Sequence, residues 1–201
     1  MAILSRALLA VAIAAFGASA KTVTLNFDDI SVSNADACGL KVFDQKKAYS
    51  GFLVTADSEL RILNGTKTEK CKSWDDWQRP FAGWSTSGSN VIYNGDGSVQ
   101  FTSKSGNVKK ATFDVDVIFT EGEIGLNSTV RIGTSFSTGS EDDKIYVFHT
   151  LKDGFGPYHI ETATSGPFSW VNVEAQAIEP IGEGPTINTD LTVDTAVFEL
   201  A

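Results

Sequence analysis

An antiparallel β-sandwich or jelly roll is the fold this sequence predicts, with about eight to ten strands and one disulfide. Three observations predict it. Short segments alternate apolar and polar residues with a period of two. Turn sequences rich in Gly and Asn separate them. After the first twenty residues, no stretch carries a sustained helical stripe.

The elements follow in chain order. Residues 21–27 (KTVTLNF) open the series, with Val23, Leu25 and Phe27 on one face. Segments 51–55, 59–63, 90–93 and 98–102 are short strand candidates. Residues 111–119 give the clearest alternation, Phe113, Val115, Val117 and Phe119 against Thr112, Asp114, Asp116 and Ile118. Residues 128–136 repeat it with Val130, Ile132 and Phe136. Segments 144–150, 158–163, 168–175 and 191–200 complete the set. Asn94-Gly95-Asp96-Gly97, Ser105-Gly106-Asn107, Glu121-Gly122-Glu123 and Asp153-Gly154 read as tight turns, the first as a hairpin. Residues 64–89 are too long for a hairpin loop and read as an ordered excursion.

The chain has 201 residues, 42% of them hydrophobic, which suits one packed domain spanning 21–201. Lys and Arg number 16 against 25 Asp and Glu, so the chain is acidic and would repel a phosphate backbone. Residues 1–20 read as a secretory signal peptide: Arg6 is the positive n-region, 8–16 the apolar run, and Ala18-Ser19-Ala20 the cleavage site. The apolar run is shorter than the roughly 20 residues that span a bilayer. A secreted or cell-wall-associated monomer, with no membrane partner, is the expectation.

Export fits the two cysteines, Cys38 and Cys71, which read as a pair. Closing their loop of about 33 residues would contribute about 3–4 kcal/mol. Asn64-Gly65-Thr66 and Asn127-Ser128-Thr129 match the glycosylation acceptor pattern, and both are expected on surface loops.

Most catalytic signatures are missing. His149 and His159 fit no zinc spacing, and Gly83-Trp84-Ser85-Thr86-Ser87 lacks the last glycine of a nucleophile elbow. A glycosidase needs two carboxylates about 5–9 Å apart. Glu161 and Glu174 lie in predicted strands that could face one groove. The strongest binding candidate is Trp74, Asp75, Asp76, Trp77, Gln78, Arg79 and Trp84, within eleven residues. Indole faces match sugar C–H faces, and the polar neighbours match hydroxyls. The same aromatics could instead plug one end of the sandwich. Asp28 and Asp29 are candidate ligands for a structural calcium between terminal strands, or else turn caps.

Phe27-Asp28-Asp29, Tyr49-Ser50-Gly51-Phe52, Ser87-Gly88-Ser89-Asn90-Val91 and the closing Thr192–Phe198 strand carry a resemblance. The chain resembles secreted fungal and bacterial β-sandwich proteins that open on an FDD strand and are built like carbohydrate-binding modules. The resemblance implies a sandwich, adds weight to Asp28 and Asp29, and names no activity. A non-catalytic binding protein with a neutral polysaccharide or other glycan as partner is the leading expectation. A jelly-roll polysaccharide hydrolase or lyase is the alternative, and a structural or host-interaction effector the second.

Overall fold

A computed structural model describes residues 20–33, 40–64, 88–118, 129–137, 145–151, 157–162, 166–178, 187–188 and 190–201. It is all-β. Among the described residues thirteen strands form two antiparallel sheets. They are β1 (Lys21–Leu25), β2 (Leu40–Val42), β3 (Phe52–Thr55), β4 (Arg61–Asn64), β5 (Asn90–Asn94), β6 (Ser98–Ser103) and β7 (Val108–Ile118). Then come β8 (Thr129–Ser137), β9 (Ile145–Leu151), β10 (Tyr158–Glu161), β11 (Trp170–Ile178), β12 (Ile187–Asn188) and β13 (Asp190–Leu200). The larger sheet runs β10-β7-β13-β5-β4-β2, with β1 also on β13; the smaller runs β3-β6-β11-β8-β9, with β12 on β11.

Alternation builds the core between them. Phe113 and Phe198 come from the larger sheet, Phe52 and Phe101 from the smaller, and all four are fully buried. The Phe198 ring centroid lies 4.2 Å from that of Phe52, 5.4 Å from Phe101 and 5.7 Å from Phe113. Val23, Leu25 and Phe27 do share the core side, although β1 ends at Leu25. The terminal strands are neighbours, Lys21 opposite Leu200 through Leu25 opposite Ala196. A bulge at Asp194 interrupts the long β7–β13 ladder.

One turn expectation changes. Asn94–Gly97 does turn, with the Gly97 N–H donating to Asn94 O. It is not a hairpin, because β5 and β6 belong to different sheets. A two-residue reversal lies instead at Tyr49-Ser50-Gly51-Phe52. Tyr49 and Phe52 exchange both backbone hydrogen bonds across Ser50 (φ 48°) and Gly51 (φ 86°), so both central residues have positive φ, as in a type I′ turn.

The FDD segment forms a clasp. Phe27 holds φ 59° while fully buried, a conformation that costs an aromatic residue about 1–3 kcal/mol. Asn90 stabilises it: its Nδ2 donates to Phe27 O (3.1 Å) and Ile30 O (3.0 Å). Asp28 Oδ1 accepts the backbone N–H of Ser89 (2.9 Å) and Asn90 (3.1 Å). Gly88 at φ 55° is required beside it, since a Cβ there would collide with the Asp28 carboxylate.

Candidate functional site

The core-facing residues of the smaller sheet leave the alternate positions for solvent. Val99, Phe101, Val171, Val173 and Ala175 are buried inward. Ser98, Gln100, Trp170, Asn172 and Glu174 therefore point outward on β6 and β11. With Thr55 and Ser135 they line a groove of about 520 Å³, rimmed by Ala56 and Asp57.

The registers arrange these groups in rows. Thr55 lies opposite Gln100, Gln100 opposite Asn172, and Asn172 opposite Ser135. Crossing four strands, that row spans roughly 14 Å. The next row places Trp170 between Thr102 and Ser137, about 7 Å further along the strands. Hence one indole stands beside a straight polar track.

Hydrogen bonds fix the track. Ser98 Oγ donates to Asn172 Oδ1 (3.0 Å), and Asn172 Nδ2 donates to Glu174 Oε2 (3.3 Å). Gln176 Nε2 donates to Glu174 Oε1 (3.1 Å), so both carboxylate oxygens are oriented. Ser135 is only 2% exposed and lines the groove. The rim is equally set. Gln45 accepts the Ala56 N–H (2.7 Å) and donates to Ser58 O (2.7 Å). Asn94 Nδ2 donates to Ser58 Oγ at 2.8 Å.

On the larger sheet the outward positions Leu63, Val91, Asp116 and Thr192 are almost wholly buried, whereas outward Asp114 and His159, 2.8 Å apart, reach solvent on β7 and β10. Tyr93, also outward, donates its hydroxyl to Asp190 Oδ2 (2.8 Å). Burial, then the Asp190 charge, raises its pKa far above the ordinary tyrosine value.

The sequence candidates fall out unevenly. Trp74, Asp75, Asp76, Trp77, Arg79 and Trp84 lie outside the described residues, as do Cys38, Cys71, Asn127 and residues 1–19. Asp28 and Asp29 lie together after β1 as hydrogen-bond acceptors. Tyr49 Oη donates to Asp29 Oδ1 (2.5 Å), and two backbone N–H groups converge on one oxygen of Asp28. Accepting backbone N–H groups in this way is what a capping Asp does. Among the described residues no three His, Cys, Asp or Glu side chains converge as a metal set.

Asn64 departs from its expected surface loop. It ends β4, is 7% exposed, and donates Nδ2 to Asn90 Oδ1 (2.7 Å) and Ser89 Oγ (3.2 Å). The nitrogen that a glycan would modify is committed to the clasp. Glu161 and Glu174 likewise do not share a groove. Glu161 sits on β10 of the larger sheet, 2.6 Å from Lys110 Nζ, while Glu174 lies on the smaller sheet. Sequence reasoning missed the Trp170 groove. Its signal was legible in Trp170-Val171-Asn172-Val173-Glu174-Ala175-Gln176, whose polar and aromatic positions all fall on one face.

No sequence family and no curated protein matches this chain. Solved structures do. A DUF4465 family protein from Bacteroides caccae aligns with a TM-score of 0.56 and 10% identity, over 90% of this chain and 100% of its own. A carbohydrate-binding module specific for non-crystalline cellulose aligns with a TM-score of 0.38 and 13% identity, over 57% of this chain and 77% of its own. The cleaved adhesin domain K1 of Lys-gingipain from Porphyromonas gingivalis gives 0.41 and 10%, over 90% and 99%. At such identities the first of these likenesses shows a shared fold, the two-sheet sandwich. Among the described residues no helix is long and apolar enough to cross a membrane.

Proposed function

We propose that this chain is a secreted, non-catalytic glycan-binding protein whose ligand lies in the groove on the smaller sheet. One observation carries the reading: the row Thr55–Gln100–Asn172–Ser135, with Trp170 in the adjacent row, on an open sheet face. A sugar ring needs a flat apolar surface and a set of fixed hydroxyl partners. Trp170 supplies the first and the polar row the second. A row of roughly 14 Å accommodates a short run of linked sugar units. Because Asn172 is held by Ser98 and Glu174, and the rim by Gln45, less side-chain entropy is lost on binding.

Binding, not hydrolysis, suits the carboxylate in the groove. An acid catalyst presents a proton to the leaving oxygen. Glu174 instead receives N–H donors on both oxygens. Electrophoresis through gels containing soluble neutral polysaccharides tests the reading, with wild type beside Trp170→Ala. Wild type should be retarded and the variant should migrate freely, with unchanged circular dichroism. Equal migration of both proteins in every gel, or release of reducing ends from any polysaccharide, contradicts it.

A further inference from the structure

The polar row of the smaller sheet leads to a second groove. It crosses β8, β11, β6 and β3 in turn, and β3 is the edge strand among the described residues. Beyond Thr55 the chain runs through Ala56 to Leu60 and enters β4 of the larger sheet, so this loop crosses the rim of the sandwich. A groove of about 580 Å³ lies there, and Asp57 lines both grooves. Val42 and Phe43 give the second groove apolar surface, and Asp44, Lys46 and Glu59 give it polar groups of both signs. Among the described residues Val42 is the one exposed large hydrophobic side chain, at 59%. The junction is fixed from beneath. Gln45 accepts the Ala56 N–H and donates to Ser58 O. Asn94, wholly buried, donates Nδ2 to Ser58 Oγ (2.8 Å) and accepts the Ser98 N–H on Oδ1 (3.2 Å). Ser58 lines the second groove and Ser98 the first, so one buried amide ties the two together.

We propose that the two grooves form one track: a polysaccharide chain lying on the row Thr55–Gln100–Asn172–Ser135 continues over β3, past Asp57, onto Val42 and Phe43. The protein thereby takes internal stretches of long chains in preference to short oligomers. This rests on the glycan reading above and adds chain length to it. The Thr55 end of the row is two residues from Asp57, so the row opens toward the second groove. There, sugar C–H faces match Val42 and Phe43, and hydroxyls match Asp44, Lys46 and Glu59. Because Gln45 and Asn94 hold the junction, a chain that spans both grooves meets a preset second site. Its binding there is intramolecular, and affinity rises with length beyond what the row alone supplies.

Titration calorimetry with a β-1,4-linked glucose trimer and with a soluble hydroxyethylated β-1,4-glucan polymer tests the track. Wild type should bind the polymer at least about tenfold tighter than the trimer. The Val42→Asp/Lys46→Ala double variant changes two exposed side chains of the second groove, so the fold should persist, as circular dichroism checks. It should keep the trimer affinity within about twofold, while its polymer-to-trimer ratio falls at least about threefold below that of wild type. Overlapping sites on a long chain favour the polymer equally in both proteins, so comparing the two ratios cancels that contribution. A wild-type ratio near one, a ratio that the variant keeps, or a trimer affinity that falls as far as the polymer affinity overturns the continuous track. Each of these leaves the first groove standing. Failure of wild type to bind either sugar overturns the glycan reading itself.

Discussion

Asp28 shows how one carboxylate can define a local structure. It accepts two backbone N–H groups across more than sixty residues of sequence and seats against Gly88. Hydrogen bonds to a charged acceptor are worth about 1.5–3 kcal/mol each. Asp28→Ala should therefore lower unfolding stability by about 2–4 kcal/mol, since the two bonds share one oxygen. Asp28→Asn should cost less, because the amide oxygen still accepts. Urea unfolding of the three proteins checks this, and equal midpoints would contradict the clasp. Tyrosine ionisation gives a second expectation. Tyr49 and Tyr93 both titrate above their ordinary value of 10.0, chiefly through burial, with Asp29 and Asp190 adding to it. Above about pH 10 the unfolded chain loses phenolic protons that the folded chain keeps. The folded state then binds more protons, so stability falls as pH rises. It is fully present below that pH. Melting temperatures between about pH 8 and 11 should drop, and Tyr93→Phe should flatten the drop. A Tyr93→Phe curve parallel to wild type would remove Tyr93 from this account.

At the scale of elements, strand position was legible and strand partnership was not. Every strand of four or more residues falls on a segment that the alternation picks out. The two missed strands, Leu40–Val42 and Ile187–Asn188, are too short to display a period. Sheet membership is another matter. The turn at Asn94–Gly97 has hairpin composition, yet it passes the chain from the larger sheet to the smaller. Local sequence encodes a reversal, whereas the choice of partner depends on β13 and β11, which lie far away in the chain. The same limit explains Asn64 and Asp28. Asn64 looks like a loop acceptor site until Asn90 and Ser89 engage its amide. Asp28 accepts two N–H groups from residues more than sixty positions away, partners that its own stretch of sequence does not display. Trp170 was overlooked for a related reason. A lone Trp in an apolar strand resembles core, and only the outward direction of Asn172 and Glu174 beside it reveals the exposed face.

The whole molecule has two sheets with different outer faces. On the larger sheet, outward Leu63, Val91, Asp116 and Thr192 are buried. On the smaller, outward Thr55, Gln100, Asn172 and Trp170 line an open groove. The second face is the one proposed to bind glycan. Chemical-shift mapping of the isotope-labelled protein, titrated with a β-1,4-linked glucose hexamer, is the decisive measurement. The largest shifts should fall on the amides of Gln100, Ser135 and Asn172 and on the Trp170 indole. Shifts confined to Trp74, Trp77 and Trp84, or to the strands of the larger sheet, would contradict it.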